Sequence, residues 1–401
     1  MKKRIINLLK VIGIVCITIL IIELIYIVFI MQDKSIYFDS INSVVDIGNG
    51  YVIGGSNNNN DKFFEKAKLT KYNLKKEKKF EVLYNKGFNG SFFDVIQDGE
   101  DFIAVGSYEA TEEEYEKGVR TALITKYDKD GNLLYENSFQ VLGNSKFTSV
   151  SVVDDGYVVT GQSVYEDMVV GLSDAGGAFV IKYNKELELD WKSNYGDSKT
   201  AIYNDAFVID DNIYAVGVTD SVIGVVAQYN FDGELVKSTE YEYTDSFGFT
   251  GVTYLNDNLY ISASKKVDDS TQYDAALIQY DMNLEFKKDV IYDDNEYERY
   301  NRVIIDDNEN IVVVGTSAGV DKKKNNKNVN VFEHDGIIAK YDKNLEKISI
   351  VLYGDDRDDY FTDIILSDGN YIVSGYSSYE DGSYLSKFIT YSDSLKVLEV
   401  R

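Results

Sequence analysis

The sequence predicts an all-β fold, and three observations carry that reading. Apolar residues make up 44% of the 401-residue chain, enough to fill a core, and 33 residues are Tyr, a residue type that favours strands. Short β-branched and aromatic runs alternate with Asp, Asn and Gly turns, as in antiparallel strands joined by tight links. The same run of turns and strands then recurs along nearly the whole chain, with a period of about 50 residues.

The clearest copy reads "FTSVSVVDDGYVVTGQS", a polar loop, then "AFVIKYNKELELDWKSNYG", which divides into four strands, A to D. Strand A is marked by an apolar residue three places after a bulky one: Ile41/Val44, Phe92/Val95, Phe147/Val150, Tyr203/Ala206, Phe249/Val252, Tyr300/Val303 and Phe361/Ile364. Strand B ends in Gly55, Gly106, Gly161, Gly217, Ala263, Gly315 or Gly375, eleven residues after the mark in six copies and twelve after Val303. Strand C ends in Tyr72, Tyr127, Tyr183, Tyr229, Tyr280, Tyr341 or Tyr391. A unit of four strands cannot bury both faces alone. Seven such units in series predict a seven-bladed β-propeller of four-stranded blades, near 41–91, 92–146, 147–202, 203–248, 249–299, 300–360 and 361–401.

The tyrosines are expected between neighbouring blades, with hydroxyls reaching water or a partner at the turn. The small residue ending strand B is expected where a side chain would meet the adjacent blade or a tight bend. "LKVLEVR" is the expected last strand, and "SIYFD" is expected to pair beside it and close the ring. The repeat resembles bacterial extracytoplasmic propeller repeats of the form "GYVVTG...AFVIKYD.G.L.W", a likeness that spans residues 36–401 and implies the fold but no chemistry. The Gly-His and Trp-Asp pairs of WD40 repeats and the recurring Gly-Gly of kelch repeats are missing.

Ahead of the repeats, "MKKRIINLLK" carries four positive charges and precedes the apolar run Val11–Met31, which is interrupted only by Glu23. Twenty-one residues of helix span about 31 Å, the thickness of a bilayer core. Residues 11–31 are therefore expected to form one uncleaved transmembrane helix, with 1–10 as a cytoplasmic flank, 32–40 as a linker and closing segment, and the propeller outside the membrane. Glu23 lies within the bilayer, where an ionisable group is costly, and is a candidate contact for a second membrane helix.

Lys and Arg number 41 against 67 Asp and Glu, giving a net charge of -26. Such a field repels phosphate backbones, which argues against a nucleic-acid partner. One Cys and one His, Cys16 and His334, exclude a disulfide within the chain and Cys- or His-rich metal sites. No metal or cofactor is expected.

Alternating strand directions gather the A–B and C–D turns on one end of the propeller and the B–C and D–A loops on the other. The first set is tight and the second long and varied, which makes the B–C and D–A end the expected functional face. Its aromatic and acidic residues, Tyr108, Glu114, Tyr115, Tyr165, Asp167, Tyr273, Asp274, Tyr379, Asp381 and Tyr384, are the candidate ligand-binding set, suited to a sugar or a basic peptide. The basic island from Lys322 to Asn328 reads as a loop tip.

Two motifs suggest chemistry and are set aside. "GTSAG" at Gly315–Gly319 has the spacing of a hydrolase nucleophile elbow, but no helix follows Ser317, and the stretch aligns with the strand B ends of its sibling repeats. "DKDGN" at Asp128–Asn132 begins like a calcium loop, lacks the later bidentate Glu, and falls at a C–D turn. No catalytic residue is assigned. The sequence reads as a membrane-tethered surface propeller that binds or scaffolds a protein or glycan through its long-loop face. The alternatives are a carbohydrate-active enzyme using channel carboxylates, or an accessory or sensing subunit of a membrane complex.

Overall fold

The computed structural model describes residues 38–58, 64–140, 143–164, 177–195, 201–219, 223–241, 247–266, 273–293, 297–321, 331–354, 357–379 and 383–401. Among them, twenty-eight strands follow in chain order from β1 (Asp39–Asp46) to β28 (Val397–Val400). Each run of four consecutive strands is an antiparallel meander, so the all-β expectation and the repeated four-stranded sheet are both met. Two of the meanders share one eight-stranded sheet through a single parallel pair, Tyr273 beside Tyr297. No helix of the described residues is long and apolar enough to cross a membrane, and residues 11–31, with Glu23, lie outside them.

The first strand of each meander is innermost: β1, β5 (Gly90–Asp98), β9 (Asn144–Val153), β13 (Ile202–Ile209), β17 (Phe247–Leu255), β21 (Tyr297–Ile305) and β25 (Asp358–Ser367). Each packs on the next, and β25 packs on β1, so the inner strands form a closed ring around a channel. The core lies between meanders. Tyr183, for example, sits with Phe147 of its own meander and with Ile103, Val105 and Ile124 of the one before.

Every inner strand carries a β-bulge just after its bulky marker, at Asn42, Phe93, Thr148, Asn204, Thr250, Asn301 and Thr362. A bulge leaves one residue unpaired in its own sheet and turns its side chain elsewhere. Six of the seven use it to bond the next meander: Asn42 Nδ2 donates to Phe92 O, Thr148 Oγ1 to Tyr203 O, Asn204 Nδ2 to Phe249 O, Thr250 Oγ1 to Tyr300 O, Asn301 Nδ2 to Phe361 O and Thr362 Oγ1 to Ile41 O, at 2.6–2.7 Å. Phe93 has no donor and breaks the belt between β5 and β9.

The bulge also explains the small residue ending strand B. A Cβ on Gly106, Gly315 or Gly375 would lie 1.9 Å from Ser91 O, Arg299 O or Tyr360 O, the carbonyl beside the bulge on the inner strand of the same meander. Of the two obstacles the sequence suggested, an adjacent blade or a tight bend, the first does not apply at these positions: the obstacle is the meander's own inner strand, at its bulge.

The C–D turns repeat a second device. The residue after each strand C tyrosine caps the turn: the Asp128 carboxylate accepts the amides of Asp130 and Asn132, and Asp281 and Asp342 do the same two and four residues on. "DKDGN" is thus one copy of a turn. Leu187, Leu284, Leu345 and Leu395 occupy its left-handed position with φ of 57–62° and at most 3% exposure. Burying a Leu side chain contributes about 1.5–3 kcal/mol, enough to offset the roughly 1–2 kcal/mol cost of that conformation. Where glycine replaces Leu, at Gly131 and Gly233, Phe80 and Trp191 of the preceding meander fill the slot.

The strand C tyrosines are buried as expected except for Tyr72, which is half-buried. Their hydroxyls do not all turn outward. Tyr229 and Tyr341 bond Tyr203 and Tyr300 of their own inner strands at 2.8 and 2.7 Å. Phe38 makes a parallel bridge to Tyr384 at the head of β27 (Tyr384–Tyr391), instead of pairing with β28, and residues 32–37 lie outside the described residues.

Candidate functional site

Directly after each bulge, one inner-strand residue faces the channel: Ser43, Asp94, Ser149, Asp205, Gly251, Arg302 and Asp363. The three carboxylates act as staples between meanders, because Asp94 accepts the amide of Val150, Asp205 that of Val252 and Asp363 that of Val44, at 2.9–3.1 Å. Arg302 bridges them across the channel, with Nη1 3.1 Å from Asp205, Nε 3.3 Å from Asp363 and Nη2 4.0 Å from Asp94. Burial pushes the Asp94 carboxyl up to about 6 and raises Asp363 too, while the guanidinium opposes both. The Arg302 guanidinium is held above its usual range because the carboxylates outweigh its own desolvation.

This cluster and the belt of bulge side chains obstruct the channel. Above the belt, toward the starts of the inner strands, opens a recess of about 410 Å³, within the range of small-ligand sites. Its base is the belt itself, with Phe93, Thr148, Asn204, Thr250, Asn301 and Thr362. Its wall carries Lys146, Arg299 and His334 with three tyrosines. A second recess of about 270 Å³ adjoins it, sharing Phe93 and Tyr376 and reaching Arg120 and Tyr384.

Aromatic rings form an arc along this mouth. Tyr273 meets Tyr297 at 5.4 Å, Tyr297 meets His334 at 5.8 Å, and His334 meets Tyr360 at 5.1 Å. Tyr360 stacks on Tyr376 at 5.0 Å, Tyr376 meets Tyr384 edge-on at 5.4 Å, and Tyr384 stacks on Phe38 at 5.5 Å. Inner-strand starts, strand B ends and strand C starts supply these rings, so the ring of strands fixes the arc. Burial, with Asp358 and neighbouring tyrosines next, pushes the Tyr360 phenol up, so it stays a neutral donor and acceptor at ordinary pH.

Of the residues singled out from sequence, Tyr273 and Tyr384 join this arc. Tyr379 lies against the Arg357 guanidinium, 5.0 Å from the ring. Tyr115 packs with Phe88 and Phe64 at 5.1 and 5.2 Å in a separate aromatic cluster. Tyr108 is a core residue at 9% exposure, edge-on to Tyr84, and Asp274 is buried. Glu114 is spoken for structurally. It lies in a short helix, α1 (Glu112–Lys117), capped by Thr111, and its carboxylate accepts the Ala110 amide at 2.6 Å and the Thr121 hydroxyl at 3.2 Å. The Thr-x-x-Glu spacing typical of a helix start stands in the sequence and was its signal, although here the Glu114 carboxylate takes the amide one residue before the N-cap. Tyr165, Asp167 and Asp381 lie outside the described residues, as does the run from Lys322 to Asn328.

Sequence reasoning passed over Lys146, Arg299 and Tyr360, which lie inside the inner strands β9, β21 and β25 one residue before the bulky marker, and Tyr376, which follows the strand B glycine Gly375; none carries a motif. Ser317 is buried inside β22 (Ile311–Asp321), where its hydroxyl donates to Glu298 at 3.4 Å, so the sheet continues through "GTSAG" with no elbow. His334, opposite Ala318 on β23 (Val331–Tyr341), turns its ring to Tyr360 and Asp358.

No protein-family model matches the chain, and no curated protein matches it. Solved structures do. A puromycin hydrolase is 9% identical with a TM-score of 0.52, over 92% of this chain and 55% of its own. Prolyl endopeptidases reach 10% and 0.50, over 90% and 56%. The β-propeller domain of the Trilobed protease from Pyrococcus furiosus is 11% identical with a TM-score of 0.38, over 78% and 94%. At these identities the likeness is one of fold alone. This chain spans little more than half of the hydrolase and endopeptidase chains, and their activities stay with them.

Proposed function

We propose that this chain is a recognition module: a seven-bladed propeller, counting the two halves of the eight-stranded sheet separately, that binds a glycan at its channel mouth. In this reading residues 11–31 anchor it in the membrane and the propeller stands on the extracytoplasmic side. The observation that carries the proposal is the arc of half-buried rings, Tyr297, Tyr360, Tyr376 and Tyr384, above a base of amide and hydroxyl side chains. Aromatic faces stack on the C–H faces of sugars, and Asn and Thr match their hydroxyls.

A hydrolytic reading has less support. The channel carboxylates Asp94, Asp205 and Asp363 are engaged by backbone amides and Arg302, below the belt that forms the recess base.

The experiment is a glycan array probed with the full chain, followed by product analysis of every glycan retained. Retention without cleavage is the expected outcome. Cleaved product would replace the module with an enzyme, and an array with no retained glycan would end the proposal. Protease added to intact protoplasts tests the topology separately: the propeller is digested if it is external, and full protection contradicts that placement.

A further inference from the structure

One residue in roughly six of this chain is acidic, 67 of 401, yet among the described residues that line the larger recess none is Asp or Glu. The same lining holds Lys146, Arg299 and His334. His334 has Asp358 as a neighbour, 3.5 Å from Nδ1. Lys146 and Arg299 have no ion-pair partner among the described residues. Lys146 lies over the Phe93 ring, 5.5 Å from its centre, and Arg299 is exposed at the rim. Arg120 stands in the adjoining recess, its charge shared with Glu109.

Resting on the reading above, we infer that the mouth recognises a saccharide bearing a carboxylate, with the acid group held by Lys146 and Arg299 and the sugar ring against Tyr360 and Tyr376. Burial and the nearby charges of Arg120 and Arg299 hold Lys146 below the usual lysine range, so a bound anion relieves a repulsion already present in the free protein. Arg supplies a planar fork for two carboxylate oxygens and Lys a point charge.

The other anion classes fit less well. An extended acidic peptide needs a sheet edge or a through-groove, whereas this recess is closed at its base by the bulge belt and the Arg302 cluster. A long polyanion meets the -26 charge of the whole chain, which disfavours it relative to a short ligand with one acid group. The second recess, joined through Phe93 and Tyr376, offers room for a further sugar unit.

The test is calorimetric titration of the full chain with glucuronyl and galacturonyl disaccharides and sialyllactose, each beside its carboxyl-reduced neutral form, with tetraglutamate as the peptide control. At least one acidic sugar is expected to bind, with its neutral form tenfold or more weaker. Lys146→Met and Arg299→Gln should each remove that preference without moving the melting temperature, and Lys146→Arg should keep most of it. Equal binding of acidic and neutral forms overturns the charge assignment and leaves the glycan reading standing. Failure of every sugar overturns both, and tetraglutamate binding that depends on Lys146 without sugar binding overturns the saccharide in favour of a peptide.

Discussion

Thr362 Oγ1 donates a 2.7 Å hydrogen bond to the carbonyl of Ile41, joining residues 321 positions apart where the last meander meets the first. Ile41 is a buried core residue, so losing the donor leaves a carbonyl short of a partner. Thr362→Val should therefore lower unfolding free energy by about 1–2 kcal/mol in urea melts, and Thr362→Ser should largely preserve it. Phe93 is the one bulge residue without a donor. Phe93→Asn should restore the missing bond and stabilise by about 1 kcal/mol, while removing the ring under Lys146 and weakening ligand binding.

Among the described residues, Arg302 is the sole cation paired with the three channel carboxylates, which are only 5–6% exposed. Removing one partner of a buried ion cluster strands the remaining charges, at a cost of about 3–5 kcal/mol. Arg302→Gln is expected to show a loss of that size at pH 7.5 in denaturant melts and a smaller one at pH 5, where protonation relieves the carboxylates. A loss independent of pH would assign Arg302 to packing alone.

The pH profile of the unsubstituted protein has two limbs of opposite sign. Burial, partly offset by Arg302, raises the Asp94 pKa from 3.8 to about 6, so the folded chain keeps a proton that the unfolded chain has released. Stability from this group rises as pH falls from about 7 toward 4. Asp306 runs the other way. Burial pushes its carboxyl up, but hydrogen bonds from Lys340, Asn310 and Tyr371 outweigh it and hold the pKa at about 2. Its contribution is complete above about pH 4 and is lost as pH falls toward 2. Thermal melts should peak between these limbs, with Asp94→Asn flattening the upper and Lys340→Met the lower.

Gly375→Ala places a Cβ 1.9 Å from Tyr360 O, a backbone atom with little freedom to move. A loss of about 1–3 kcal/mol is expected. Because Tyr360 belongs to the aromatic arc, the same substitution should weaken ligand binding, which calorimetry checks.

Much of the fold was legible because closure imposes one register on every unit. Gly106, Gly217 and Gly375 lie opposite the same bulge, and Tyr183, Tyr229 and Tyr391 end the same strand, so geometry and sequence period coincide. The mouth was less legible. Lys146, Arg299 and Tyr360 share one repeat position, directly before the bulky marker, and Tyr376 follows the strand B glycine, but the residue type there changes from unit to unit, as Ser40, Ser91, Ile202 and Gly248 show, so no recurring side chain marks the site. Long loops drew attention instead to Tyr108 and Glu114, which serve the core and a helix cap. Tyr384 was found because its aromatic character and loop position coincide.

Glycan capture at the channel mouth is the central claim, and one titration tests it most directly. The strongest array binder is titrated calorimetrically into the full chain and into the Tyr360→Ala, Tyr376→Ala double variant, with melting temperatures measured in parallel. The account predicts a tenfold or greater loss of affinity in the double variant with the melting transition retained. Undiminished affinity in a folded double variant would contradict it.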